Sequence, residues 1–130
     1  MTKHDNTGIK YDTSKPKWEL LPYDALTEVV KVMTYGAIKY EPRNWEKGMS
    51  WSRVFSSLQR HLSLWFHGED LDDESEMNHL AHAACCVLYL LAYECRNHGI
   101  DDRPKLLFSE LREMRNFSGL KKVIEDMEKN

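Results

Sequence analysis

Long hydrophobic runs are missing from this sequence. The longest uninterrupted apolar stretch, Ala83–Tyr93, has 11 residues, whereas a bilayer-spanning helix needs roughly 20. The polar opening Met1–Lys10 has none of the layout of a secretory signal, so a cytoplasmic protein that makes no membrane contact is expected. Cysteine is sparse and odd in number: Cys85, Cys86 and Cys95 all lie on one apolar segment. That pattern excludes a secreted disulfide scaffold and reads as small core residues. A large excess of positive charge is also lacking. With 18 basic and 21 acidic residues the net charge is −3, which argues against a partner as long and polyanionic as a nucleic acid. There is no internal repeat, heptad array, Walker A loop, dinucleotide fingerprint, zinc-finger spacing or hydrolase elbow. Strand signals are thin as well, the best being Thr7–Tyr11, a short edge strand at most.

What remains is helical periodicity. The 130 residues suit one domain with a single core. Residues 1–22, with Pro16 and Pro22, read as an extended arm that Trp18, Leu20 and Leu21 could pin to the body. A first helix is expected over Asp24–Tyr40, from Leu26, Val29, Val30, Met33 and Ala37. A second is expected over Trp51–His67, with Ser50 as its N-cap and Gly68 at its exit. A third should cover Glu74–Asn97, started by a capping box of Asp73 and Glu76. Its apolar face would be Leu80, Ala84, Val87, Leu88, Leu91 and Cys95, and its small residues would let another helix approach closely. Because Ala83–Tyr93 is apolar nearly all round, this helix should be central. Residues 104–130 form a C-terminal helical extension with two stripes, Leu106–Met114 and Leu120–Met127. The fold class is therefore all-α: a compact helical bundle with an extended N-terminal arm.

Chemistry concentrates in Glu69–Glu76, an acidic turn that runs directly into His79 and His82. Crowded carboxylates repel one another unless a helix N-terminus or a divalent cation relieves them. Oxygen-rich sites suit Mg²⁺ or Mn²⁺, which also bind phosphate oxygens, and a nearby histidine can relay protons. Ser75, His79 and His82 share a helical face by spacing, and His61 could reach the same place from the second helix. The histidine spacing is not that of the HExxH zinc motif. Against this stands the plainer reading of a capped, solvated turn with partly buried histidines. Around Tyr35–Gly48, Lys39, Lys47 and Arg60 could meet phosphates. Tyr40 or Trp45 could stack on a base, and Asn44 could read a base edge; each is equally ordinary as packing or surface.

The ordered series Lys10-Tyr11-Asp12, Lys15-Pro16, Trp18 to Pro22, Tyr35-Gly36-Ala37, Lys39-Tyr40, Asn44-Trp45, Arg60-His61-Leu62, Gly68-Glu69, Asp72, Glu74-Ser75 and His79 to Ala83 resembles the phage-associated dATP/dGTP diphosphohydrolase N-terminal domain family, over roughly residues 8–97. That family is distantly similar to the MazG-like nucleotide pyrophosphohydrolases. The resemblance implies a MazG-like bundle that assembles as a dimer or higher homo-oligomer. It also implies Mg²⁺- or Mn²⁺-dependent hydrolysis of purine deoxynucleoside triphosphates to monophosphate and pyrophosphate. Carried onto this sequence, it makes Glu28, Glu69, Asp73, Glu74 and His79 the expected metal ligands and His61, His79, His82 and Glu74 the expected catalytic groups. Lys39, Tyr40, Asn44, Trp45, Lys47 and Arg60 are the expected nucleotide-binding residues. Two departures stand out. Glu28 is followed by Lys31 where MazG-like enzymes place a second glutamate, and Glu76 occupies a position where the family commonly has glycine. The rival expectations are a nucleotide-sequestering protein without catalysis and a helical protein that acts on a host factor.

Overall fold

The computed structural model describes residues 7–104 and 118–130. Four α-helices are present among them: α1 Tyr23–Lys39, α2 Trp51–Phe66, α3 His79–Arg96 and α4 Ser118–Lys129, with short 3₁₀ turns at Trp18–Leu20 and Asn44–Lys47. No strand forms among the described residues, and Thr7–Tyr11 is irregular. The domain is an all-helical bundle preceded by an arm, in agreement with the expected class. No described helix is long and apolar enough to cross a membrane. The stripe expected at Leu106–Met114 lies outside the described residues.

α3 is central because its small residues face both neighbours. On one side Ala81 and Cys85 pack against Val29 and Val32 of α1, with Met33 and Tyr89 alongside. On the other, Tyr93 packs on Trp51 and Val54 of the antiparallel α2. Burial pushes the Cys85 thiol up to about 11, so it is an inert core group. The apolar stripe expected for α1 is shifted: Val32 is buried and Val30 is exposed.

Three local expectations fail in whole or in part, each for an identifiable reason. First, α3 begins at His79 rather than Glu74. The Asp72 carboxylate accepts the Ser75 backbone N–H at 2.9 Å and the Ser75 hydroxyl at 3.0 Å. A side chain bonded in this way competes with helix formation and holds a turn. The turn is closed by Asp72 N–H to Met77 O at 2.8 Å and Glu76 N–H to Asp72 O at 2.8 Å. The capping box is therefore absent, and Asn78 stands at the N-cap without a side-chain cap bond. Second, Ser50 occupies the N-cap of α2 but makes no capping bond; Asp102, from the segment after α3, accepts the Ser52 N–H at 2.9 Å instead. Third, the arm is not pinned by its apolar residues, since Trp18 is 70% and Leu20 75% exposed.

The segment after α3 is bound tightly to the start of α2. Trp51 N–H reaches Ile100 O at 2.9 Å, Ile100 N–H reaches Met49 O at 3.1 Å, and the Trp51 indole N–H donates to His98 O at 2.8 Å. Gly99 makes this closeness possible: its φ is 79°, and a Cβ there would lie 2.7 Å from Met49 O.

Candidate metal centre

The antiparallel pairing of α2 and α3 sets His61 opposite the first turn of α3. His61 Nδ1 lies 2.9 Å from His79 Nδ1. The His61 ring stacks on His82, with centroids 4.4 Å apart and planes 7° from parallel. His79 is fully buried, and its Nε2 lies 2.8 Å from Glu69 Oε1. A carboxylate only accepts, so His79 carries its proton on Nε2 and turns a lone pair on Nδ1 toward His61. The Asp72 turn then delivers a carboxylate. Donor atoms of His61, Asp72 and His79 all lie within 4.8 Å of one another, and this is the one such group found among the described residues.

Charge and burial prepare these groups for a cation. Burial holds His61 down at about 4, helped by the neighbouring His82 and only partly opposed by Asp72. His82 is likewise lowered, chiefly by burial. Both rings are therefore neutral near pH 7, the form that ligates metals. For Asp72, burial works to raise the carboxyl, but the two Ser75 hydrogen bonds together with the neighbouring His82 and His61 leave it below its usual value. Ser75 is the hub of the site: its hydroxyl also lies 2.7 Å from His82 Nε2 and accepts the Met77 N–H at 3.2 Å.

The donor chemistry fits a divalent metal. Two imidazoles and one carboxylate are borderline ligands, suited to manganese or a later first-row metal more than to magnesium. Metal-bound histidines usually give their second nitrogen to a carboxylate, as His79 does to Glu69. The 2.9 Å between the two Nδ1 atoms is near the ~3 Å expected of adjacent ligands at ~2.1 Å bond lengths.

The other expected site residues are placed as follows. Glu69 is brought to the site through His79. Glu74 turns to α1, pairing with Lys39 and accepting from the Tyr35 hydroxyl at 3.2 Å; the Lys39 ammonium is the main cause of its lowered pKa. Glu28 pairs with Lys31 on α1 at 3.0 Å, and Asp73 is exposed. Neither belongs to the donor group. Tyr40, Asn44 and Trp45 line a hollow of about 460 Å³ between the end of α1 and α3. Trp45 is built into the core, stacked on Tyr89 at 4.5 Å with the Arg96 guanidinium over its ring at 5.2 Å. Lys47 pairs with Glu41, and Arg60 is exposed on α2.

Two residues central to the geometry, Asp72 and Ser75, were not among the expected ligands and catalytic groups. Both stand in the series that carries the family resemblance, and the spacing Asp72-x-x-Ser75 is the physical signal for them, because an aspartate bonded to a serine three residues on makes a turn.

With this geometry in place, comparison with known proteins gives a consistent outcome. The dATP/dGTP diphosphohydrolase N-terminal family matches residues 5–103. The chain belongs to that family. The dATP/dGTP diphosphohydrolase of Salmonella phage PMBT28 is 32% identical over 97 residues, 75% of this chain and 33% of the phage protein. The chain thus spans about a third of that relative's length. No solved structure matches. Within the diphosphohydrolase family match fall the two helices and the turn that carry His61, Asp72, Ser75, His79 and His82.

Proposed function

We propose that this chain hydrolyses purine deoxynucleoside triphosphates, dATP or dGTP, to the monophosphate and pyrophosphate with the help of a divalent cation. The convergence of His61, Asp72 and His79 in a member of this family is the observation that carries the reading. The three side chains would hold the cation, and Glu69 would fix His79 for that task. When bound, the cation would neutralise phosphate charge and acidify water for attack on phosphorus. Manganese fits the donor set better than magnesium.

The chain's own groups supply the rest. Because the Ser75 hydroxyl donates to Asp72, neutral His82 donates its Nε2–H to Ser75, which leaves Nδ1 as the His82 atom that can take a proton. Ser75 holds the Asp72 carboxylate in place through two hydrogen bonds. The hollow at Tyr40, Asn44 and Met49 is apolar and large enough for a base. Lys39, next in sequence to Tyr40, sits between that hollow and the acidic turn through its pairing with Glu74.

Incubation of the pure chain with each dNTP and Mn²⁺ or Mg²⁺, with products resolved chromatographically, is the test. Monophosphate and pyrophosphate from dATP or dGTP, reduced at least ~100-fold in Asp72→Asn, are expected. Tight binding with the nucleotide recovered intact would instead make the chain a sequestering protein. Neither binding nor turnover would end the nucleotide reading.

A further inference from the structure

Tyr35 and Lys39 stand one turn apart on α1, and both reach out of their helix to the same atom. The Tyr35 hydroxyl donates to Glu74 Oε1 at 3.2 Å, and the Lys39 ammonium pairs with that same oxygen. The ion pair joins residues 35 apart in sequence and lies beside the metal centre. Glu74 stands between Asp72, a member of the donor group, and Ser75, which holds Asp72 in place. The charges of Lys39 and Glu74 are felt at His82, and that of Asp72 at Tyr35.

The two donors are set by their helix, while the acceptor faces water. Tyr35 is half-buried, and burial and the Glu74 carboxylate raise its pKa, so its hydroxyl stays a donor. The Glu74 side chain is 60% exposed. An ion pair at such a surface contributes little, so the carboxylate can exchange it for water at small cost. Nor is the contact needed to dock α1, because Val29 and Val32 already pack on Ala81 and Cys85 of α3. Two converging donors, one of them charged, are what a phosphate oxygen requires.

We propose that Tyr35 and Lys39 form the receiving site for the phosphate chain of the nucleotide, and that Glu74 occupies this site in the empty chain as an internal competitor. Its carboxylate stands in for a phosphate oxygen and swings out to water when the triphosphate enters. Glu74 is then neither a metal ligand nor a catalytic group but a restraint on affinity, and Tyr35 becomes a binding residue. The inference rests on the proposed function only in taking the phosphates to be those of a nucleoside triphosphate. In that setting the two donors stabilise charge on the departing pyrophosphate, and Glu74, returning to them, displaces it.

The test is a nuclear magnetic resonance titration of the metal-free full chain with inorganic pyrophosphate at constant ionic strength. Amide shifts are expected around Tyr35 and Lys39 and in the turn at Glu74. Glu74→Gln should bind pyrophosphate ~2–5-fold more tightly, the worth of an exposed ion pair. Asp73→Asn removes the same charge one residue away without touching the contact, and should gain less than about twofold. Lys39→Met should weaken binding ~10-fold or more, and Tyr35→Phe ~2–10-fold. Unchanged or weaker binding in Glu74→Gln would make Glu74 a structural tie or a ligand and overturn the proposal. An equal gain in Asp73→Asn would make the effect one of net charge and overturn it too. Should Glu74→Gln lose its helical circular dichroism, Lys39→Met and Tyr35→Phe decide, and binding that survives intact in both overturns the proposal. The readout needs neither cation nor turnover. A chain that shows the expected pattern yet leaves dATP and dGTP intact would therefore sink the hydrolase reading and keep the phosphate site. Hydrolysis with a KM unmoved by Glu74→Gln and Lys39→Met would do the reverse.

Discussion

Glu76 is held in the left-handed region, with φ of 60°. It is the last corner of the turn that presents Asp72, and its N–H donates to Asp72 O at 2.8 Å. For a residue with a Cβ this conformation costs roughly 1–2 kcal/mol. Glycine removes that strain but gives the unfolded chain ~0.4–1 kcal/mol more entropy to lose. Glu76→Gly should therefore stabilise the domain by ~0.5–1 kcal/mol, a rise in Tm of ~2–5 °C for a chain of this size. Removing a negative charge from a crowded acidic turn also stabilises, so Glu76→Gln and Glu76→Ala are the controls that keep a Cβ. Thermal unfolding by circular dichroism, with all four proteins at one pH and ionic strength, separates the two effects. If Gly gains no more than Gln and Ala, the strain reasoning is wrong. A glycine, which the resemblance leads one to expect at this position, would adopt the same φ without strain.

Other expectations concern the hydrogen bonds and the histidines. Gly99→Ala puts a Cβ 2.7 Å from Met49 O at a φ of 79°, and should cost about 2 kcal/mol or more in urea unfolding. His61 has a lowered folded pKa, about 4 against 6.5, so its stabilising contribution is complete above pH ~6.5 and is lost as the unfolded chain takes up the proton at lower pH. Between pH 7 and 5 the metal-free domain should lose ~2 kcal/mol from this residue, and His61→Phe should flatten that dependence in denaturant titrations. Glu69→Gln weakens the acceptor that orients His79, and should reduce cation affinity ~10–100-fold with little change in helix content.

The helices were legible because each carries its own period. The centres of α1, α2 and α3 follow from apolar spacing, and the centrality of α3 follows from its small residues. Its beginning was not legible. Asp72, Asp73, Glu74 and Glu76 are equivalent by composition, and only the bonding of Asp72 to Ser75 decides which carboxylate turns inward. The acidic segment was singled out as a whole, and the structure brings Asp72 of it beside His61 and His79, but the choice among its members was not available from spacing. His61 illustrates the opposite case. It is 18 residues from His79 in sequence, yet the antiparallel pairing of two long helices was enough to suggest that they meet. The stripe on α3 was read as one broad apolar face, although Leu80, Val87, Leu88 and Leu91 are exposed; periodicity marks an apolar face but not how far the fold covers it.

The central claim, that His61, Asp72 and His79 converge to hold a divalent cation, is tested most directly by titrating the chain with Mn²⁺ and following the free ion by electron paramagnetic resonance. One ion per chain is expected, abolished separately by His61→Ala, Asp72→Asn and His79→Ala while Glu28→Gln and Asp73→Asn bind as the parent does. Binding that survives in the first three variants, or vanishes in the last two, would contradict the account.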